Sequence, residues 1–211
     1  MRTALTERQA ARRDRVIESA MELANEGGYE AVQMREVAAR ADVALGTLYR
    51  YFSSKDQLLV AAMAHWTRQL QERLAERPPP GETPADRVVE VLLRASRSLE
   101  RAPELTAAVV TALSSMTTDD PEALEFAREV YSVMNDIIEN AMDGDRDIPE
   151  RHAVIRVLGE VWFAVLVARV RGWAADGQMA ADLEAAVRLL VPGPADARTS
   201  ALARVPALGK E

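Results

Sequence analysis

No cysteine occurs in the 211 residues, which excludes disulfides, thiolate metal sites and cysteine nucleophiles and points to a cytoplasmic protein. Long apolar runs are also missing. The longest, Val161 to Ala168, stops at Arg169, and a bilayer span needs about 20 residues, so no membrane association is expected. The stretch Met1 to Arg15 is polar and arginine-rich with no apolar centre, so no secretory leader is expected there. Histidine is nearly absent. His65 and His152 fall on separate predicted helices, in no metal-ligand spacing and beside no serine nucleophile pattern. The pair Gly27 and Gly28 lacks the continuation of a phosphate loop and reads as a helix stop. Asp119 with Asp120 and Asp143 with Asp145 lie in predicted loops, without the burial that would shift a carboxylate for acid-base work. No metal, cofactor or catalytic residue is therefore expected. Strand signals are missing too, which leaves an all-α fold.

What is present is unevenly distributed. The net charge of −7 seems to argue against nucleic acid, but residues 1–76 carry eleven basic and eleven acidic residues, and the acidity belongs to the remainder, with 15 basic and 22 acidic. Five arginines (Arg2, Arg8, Arg12, Arg13, Arg15) fall before position 16, either as a solvated helix face or as an arm for phosphates or an adjacent minor groove.

Helix signals recur along the whole chain. Thr6 with Gln9 makes a capping box, and Val16, Ile17, Ala20, Met21, Leu23 and Ala24 form the apolar stripe of a first helix that Gly27 and Gly28 end. Ser54 with Gln57 makes another box, opening a helix from Lys55 to Glu76 with Leu58, Leu59, Ala62, Met63, Trp66 and Leu70 on one side. The prolines of Arg77 to Pro84 break the chain, and Thr83, Pro84 and Asp86 restart it. Further helices are expected at about 84–101, 103–116, 121–142, 148–175 and 179–191. The expected organisation is a three-helix DNA-binding domain over 1–52, a connecting helix over 53–76, a larger helical domain over 77–191 and an irregular tail over 192–211.

The segment Met34 to Phe52 carries the functional signal. Val37, Ala38 and Ala41 share one face of a short helix, Asp42 breaks the run, and a second short helix buries Leu48 and Phe52 four residues apart. Its opening end is thin, with Ala44, Leu45 and Gly46. A recognition helix enters the major groove by this end, where bulk would hold the backbone off the bases. Thr47 offers a hydroxyl and a methyl to base edges. Tyr49 and Tyr51 offer hydroxyls to phosphates, and Arg50 and Lys55 supply charge.

At these residues the chain resembles the TetR family of ligand-responsive transcriptional repressors. The carrying runs are Gly27 to Ala31 (Gly-Gly-Tyr-Glu-Ala), Met34 to Ala38 (Met-Arg-Glu-Val-Ala), Gly46 to Phe52 (Gly-Thr-Leu-Tyr-Arg-Tyr-Phe), and Ser54 with Lys55. By position, the resemblance implies DNA contacts from Gln33, Met34, Arg35, Ala44, Leu45, Gly46, Thr47, Tyr49, Arg50, Tyr51 and Lys55. Two positions depart from the family pattern: Ala44 replaces a frequent capping Ser, and Leu45 a frequent Lys, Arg or Pro. Within the family, Gly27 to Arg35, Ala41 to Phe52, Glu160 to Trp162 and Ala186 to Leu190 are similar to the repressors of cholesterol-catabolism genes.

That resemblance implies an effector cavity near Met116, Met134, Met142, Trp162, Phe163 and Trp173, suited to a large apolar ligand such as a steroid or its CoA thioester, although ordinary core packing accounts for any one of these residues. Arg156, Arg169 and Arg171 are candidates for an anionic ligand group. The predicted helix over 148–175 is apolar almost all round, so it needs cover on every side. The resemblance implies that with the last helix it forms a four-helix homodimer interface through Val157, Val161, Val165, Leu183, Val187 and Leu190, a buried helix of a monomer being the alternative. The expected function is a dimeric regulator, a repressor on an inverted-repeat double-stranded DNA operator. A helical small-molecule-binding protein or enzyme without DNA binding stays open as the alternative.

Overall fold

A computed structural model of the chain describes residues 6–115, 121–142 and 150–191, and among them there are nine helices and no strand. In order they are α1 (Glu7–Ala31), α2 (Met34–Arg40), α3 (Leu45–Tyr49), α4 (Lys55–Glu76), α5 (Pro84–Glu100), α6 (Pro103–Ser115), α7 (Pro121–Ala141), α8 (Arg151–Val170) and α9 (Gln178–Leu190). The described residues fall into two compact units, the first within Met1–Arg68 and Ala102–Val130, the second within Gln69–Arg101 and Tyr131–Glu211.

In the first unit, Thr6 and Gln9 make the capping box that starts α1: the Gln9 N–H donates to the Thr6 hydroxyl and the Thr6 N–H to the Gln9 side chain. Gly27 and Gly28 break the helical geometry, Gly28 at φ +66°, and one more turn runs on to Ala31. The backbone conformation at Gly28 favours glycine, while the nearest atom to a Cβ there is the end of the exposed Glu104 side chain at 3.2 Å, which can move aside. Val16, Ile17, Ala20 and Ala24 are fully buried, and α6 packs along α1. Around Leu58 to Ala64 the helix α4 is buried on every side, beyond the single stripe expected, because it runs through the centre of this unit.

The Ser54 box forms in altered shape. Ser54 Oγ accepts from the Gln57 N–H at 3.1 Å, but the Gln57 side chain accepts from the N–H of Ser53, one residue earlier. Its amide also donates to Glu122 at 2.6 Å, tying α4 to the first turn of α7.

In the second unit, Thr83 and Asp86 form the box that opens α5, and Arg188 of α9 reaches Asp86 at 2.7 Å. Burial, the largest influence on the Asp86 carboxyl, acts to raise its pKa, yet the hydrogen bonds from Thr83 and Arg188 together hold it below the ordinary value. Trp162 donates to the Ser96 hydroxyl at 3.3 Å, joining α8 to α5. Helix α8 ends at Val170, short of the expected 175, because Gly172 takes a left-handed conformation at φ +72° and turns the chain.

Candidate nucleic-acid interface

The two short helices α2 and α3 are joined by a turn whose sharpest residue is Asp42, at φ +52°. Aspartate is among the few residues that visit this region readily. The Val43 N–H donates to the Ala38 carbonyl at 3.0 Å and the Asp42 N–H to the Ala39 carbonyl at 3.2 Å, closing the end of α2. A helix as short as α3 is not stable by its own hydrogen bonds; tertiary anchoring holds it. Leu48 and Phe52 are fully buried, and each buried side chain of this size contributes roughly 1.5 to 3 kcal/mol. The Phe52 ring lies 6.2 Å from that of Phe126 on α7.

With one face anchored, the opposite face is open. Gln33, Arg35, Ala44, Gly46, Tyr49 and Arg50 are exposed, and Met34, Leu45, Thr47 and Tyr51 are half-buried. Tyr49 keeps half of its surface in solvent, an exposed large aromatic. A Cβ built on Gly46 meets no atom within 4 Å, and its φ is not in the left-handed region. The fold itself therefore places no steric demand for glycine there. Ala44 caps α3 without any side-chain hydrogen bond, as its replacement of serine implies.

Lys55 is engaged more than the sequence suggested. Its ammonium sits 3.6 Å from the Tyr29 ring centre, donates to the Tyr29 carbonyl at 3.1 Å and lies 4.0 Å from Glu30. The Tyr29 hydroxyl donates to Asp56 at 2.5 Å, and that bond, with burial and the Asp56 charge behind it, pushes the phenol up to about 12. Arg40 pairs with Glu26 through both nitrogens at 2.6 and 3.0 Å, fixing α2 on α1. The Arg40 hydrogen bond holds the Glu26 carboxyl below its ordinary range.

The early arginines divide. Arg8, Arg12 and Arg15 are exposed on the first turns of α1, so they belong to a helix and not to an extended arm, while Arg2 lies outside the described residues. Arg13 is largely buried, its guanidinium 5.2 Å from the Phe52 ring centre and 5.3 Å from that of Phe126. The signal for this was its spacing: Arg13 stands three and four residues before Val16 and Ile17, on the buried stripe.

The second unit contains a cavity of about 400 Å³ lined by Leu74, Ala75, Pro78, Val91, Ile137 and Ala141, with Gln71 and Asn140 as its polar members. Among the described residues, none of those expected around an effector lines it. Met134, Met142 and Trp162 are buried in packing, Phe163 is half-buried, Trp173 is 75 % exposed beyond the end of α8, and Met116 lies outside the described residues. Of the arginines considered for an anionic group, Arg156 pairs with Glu160 and Arg169 with Asp176; Arg171 is exposed. Of the residues expected at a dimer face, Leu183 and Val187 are fully buried inside this unit, where α9 packs on α5 and α8. Val157, Val161, Val165 and Leu190 keep partial exposure, and Leu189 is exposed.

Comparison with known proteins covers both parts of the chain. Residues 16–62 match the family described as bacterial regulatory proteins, tetR family, and residues 81–190 match the tetracyclin repressor-like C-terminal domain. The chain is 40 % identical over 183 residues to the HTH-type transcriptional repressor KstR of Rhodococcus jostii, covering 87 % of this chain and 84 % of that one. A crystal structure of a TetR transcriptional regulator from Rhodococcus sp. RHA1 superposes with a TM-score of 0.77 at 35 % identity, covering 88 % of this chain and 98 % of the other. The fold is shared with Thermus thermophilus FadR, a TetR-family repressor solved in complex with lauroyl-CoA, at a TM-score of 0.65 and 22 % identity over 85 % of this chain and 93 % of that one.

Proposed function

Because the chain belongs to the TetR family of transcriptional repressors and is of the KstR type within it, we propose that it binds an inverted-repeat operator as a homodimer and leaves it when a large apolar effector occupies the cavity beside Leu74, Val91 and Ile137. The observation that carries the reading is the one-sided anchoring of α3: Leu48 and Phe52 are fully buried, while Gly46, Tyr49 and Arg50 face solvent.

In this reading Ala44, Leu45, Gly46 and Thr47 meet base edges, Gln33, Met34 and Arg35 contact DNA from the start of α2, and Tyr49, Arg50, Tyr51 and Lys55 hold the flanking phosphates. Two reading helices in a dimer stand roughly 34 to 36 Å apart, one turn of DNA. Their partners are contributed by a second copy through the half-exposed apolar stripe of α8, with Val157, Val161 and Val165, and the neighbouring Leu189 and Leu190 of α9. A cytoplasmic location is read from the proposed DNA partner.

The effector is read as a steroid or its CoA thioester. The likeness to KstR supports the sterol part, and the lauroyl-CoA complex of a protein of this fold supports the thioester part. A ligand that favours the DNA-incompetent conformation by about 1 to 3 kcal/mol lowers operator affinity by roughly 5 to 150-fold.

The test is a gel shift of the chain's own upstream region against a scrambled duplex at rising salt, with and without a sterol CoA thioester. Specific retention that falls steeply with salt and is reversed by the thioester supports the reading. Equal retention of both duplexes overturns it, and retention unaffected by the thioester overturns the effector assignment alone.

A further inference from the structure

Residues remote in sequence hold the exit of α3. Phe52, just past that helix, is fully buried, and its N–H donates to the Leu48 carbonyl at 3.0 Å. Two side chains flank its ring. From α1 comes the Arg13 guanidinium, 5.2 Å from the ring centre, and from α7 comes the Phe126 ring, at 6.2 Å. The guanidinium also stands 5.3 Å from the Phe126 centre, so one cation serves both rings. The next residue is gripped as well. Gln57, fully buried, accepts from the Ser53 N–H through its side-chain oxygen, and its amide nitrogen donates to Glu122 at 2.6 Å. Glu122 and Phe126 are one helical turn apart on α7, so a single face of that helix reaches residues 52 and 53, one directly and one through Gln57. The following turn is tied down too, since Glu129 pairs with Arg68 of α4. All of these contacts lie within the first unit.

Burial alone does not account for these residue types. A phenyl ring in an apolar pocket is held by dispersion and the hydrophobic effect, which are nearly indifferent to direction. A cation over the ring face is directional, because the attraction comes from the ring quadrupole. The Arg13 side chain keeps only 11 % of its surface in solvent, and placing a guanidinium there costs desolvation that methionine would avoid. What the charge adds is a fixed angle for Phe52. That angle decides the pose of a helix only five residues long, since the buried anchors of α3 are Leu48 and Phe52 and its own hydrogen bonds do not hold it.

We propose that Arg13 and Glu122 are positioning residues of the DNA interface: Arg13 through Phe52, and Glu122 through Gln57 and Ser53, set the orientation in which α3 presents Gly46, Thr47 and Tyr49. Neither lies in the stretch Met34 to Phe52 that carries the reading helix, and Glu122 stands 65 residues beyond the glutamine it holds. The inference rests on α3 being the helix that reads the operator.

The test uses the full chain and three variants. Arg13→Met keeps the apolar stem and removes the charge, Arg13→Lys keeps a cation, and Glu122→Ala shortens an exposed side chain without opening a core cavity. Affinity for operator and for a scrambled duplex is measured where circular dichroism shows each protein fully folded, and amide hydrogen exchange is followed without DNA. In Arg13→Met the ratio of operator to scrambled affinity is expected to fall by at least about fivefold, and Arg13→Lys is expected to return it to within about twofold of wild type. Glu122→Ala is expected to lower the ratio by about threefold. Exchange at the Leu48, Tyr51 and Phe52 amides should rise by at least about fivefold in Arg13→Met and by about threefold in Glu122→Ala, while the Ala20 and Ala24 amides of α1 stay within about twofold of wild type. A residue that only fills the core would lower Tm and raise exchange evenly, leaving the affinity ratio of the folded protein unchanged. That result in Arg13→Met, or the same behaviour from the methionine and lysine variants, overturns the proposal. Failure of wild type to prefer operator contradicts the repressor reading alone, and the exchange pattern then decides the positioning role: a rise confined to α3 supports it and an even rise overturns it.

Discussion

Lys55 Nζ stands 3.6 Å from the centre of the Tyr29 ring while donating to the Tyr29 carbonyl at 3.1 Å, so the first residue of α4 is clasped to the last turn of α1. The same lysine is a candidate phosphate contact, and its side chain keeps only part of its surface in solvent. Lys55→Ala is therefore expected to lower stability by about 1 kcal/mol through the lost cation–π contact and hydrogen bond. It should also weaken binding to all DNA sequences alike. Urea unfolding beside gel shifts on operator and scrambled duplex checks both parts. An unchanged unfolding midpoint would contradict the structural half.

The neighbouring bond from Tyr29 to Asp56 gives a pH signature. The folded phenol is pushed up to about 12 by that bond, from an ordinary value near 10. The protonated form is favoured in the fold, so the contribution is complete below pH 10 and is lost as pH rises from 10 to 12. Wild type should lose stability over that interval more steeply than Tyr29→Phe, and at neutral pH the variant should be less stable by about 1 kcal/mol. Parallel slopes above pH 10 would contradict this.

Thr47 and Tyr49 test the proposed division between base reading and backbone grip. Thr47→Ala is expected to relax discrimination at particular base pairs, by about 1 to 3 kcal/mol at the pair it meets. Tyr49→Phe should weaken operator and scrambled DNA by the same factor. Affinities measured across a set of single-base operator variants check the division. The same profile from both substitutions would contradict it.

Helix α8 leaves Val157, Val161 and Val165 half-exposed along one side. An unpaired charge placed in a buried interface is strongly unfavourable. Val161→Asp should therefore shift the protein from dimer to monomer in sedimentation while its helical content stays the same. Operator affinity should fall with it. A variant that remains dimeric would move the interface elsewhere on the chain.

Much of this fold was legible where one residue decides a local event. Thr6 with Gln9 and Thr83 with Asp86 started their helices as expected, and Gly27 with Gly28 broke the helical geometry of the first one because Gly28 turns to φ +66° and ψ −156°, a combination that favours glycine. The alternation in Met34 to Phe52 correctly separated buried Val37, Leu48 and Phe52 from the open face. What stayed hidden was which helix covers which. Periodicity marks a face as apolar but does not name its neighbour, so the packing of α6 on α1 and the burial of Arg13 between two phenyl rings were not foreseen. The same limit explains the candidate ligand residues. Trp162 is large and apolar in sequence, yet its N–H is used on Ser96 and its ring is core, while the cavity is lined by less conspicuous residues such as Val91 and Ala141.

The thin end of α3 is the centre of the account, and Gly46 isolates it. Because a Cβ there meets no atom within 4 Å and the position is exposed, Gly46→Leu should leave folding intact, and the gain in helix propensity of up to about 1 kcal/mol should hold or raise Tm. In the same sample, operator affinity should fall by at least about tenfold, since the added bulk holds the helix off the bases. A variant that folds as well as wild type and still binds operator with wild-type affinity would contradict the claim that this end enters the groove.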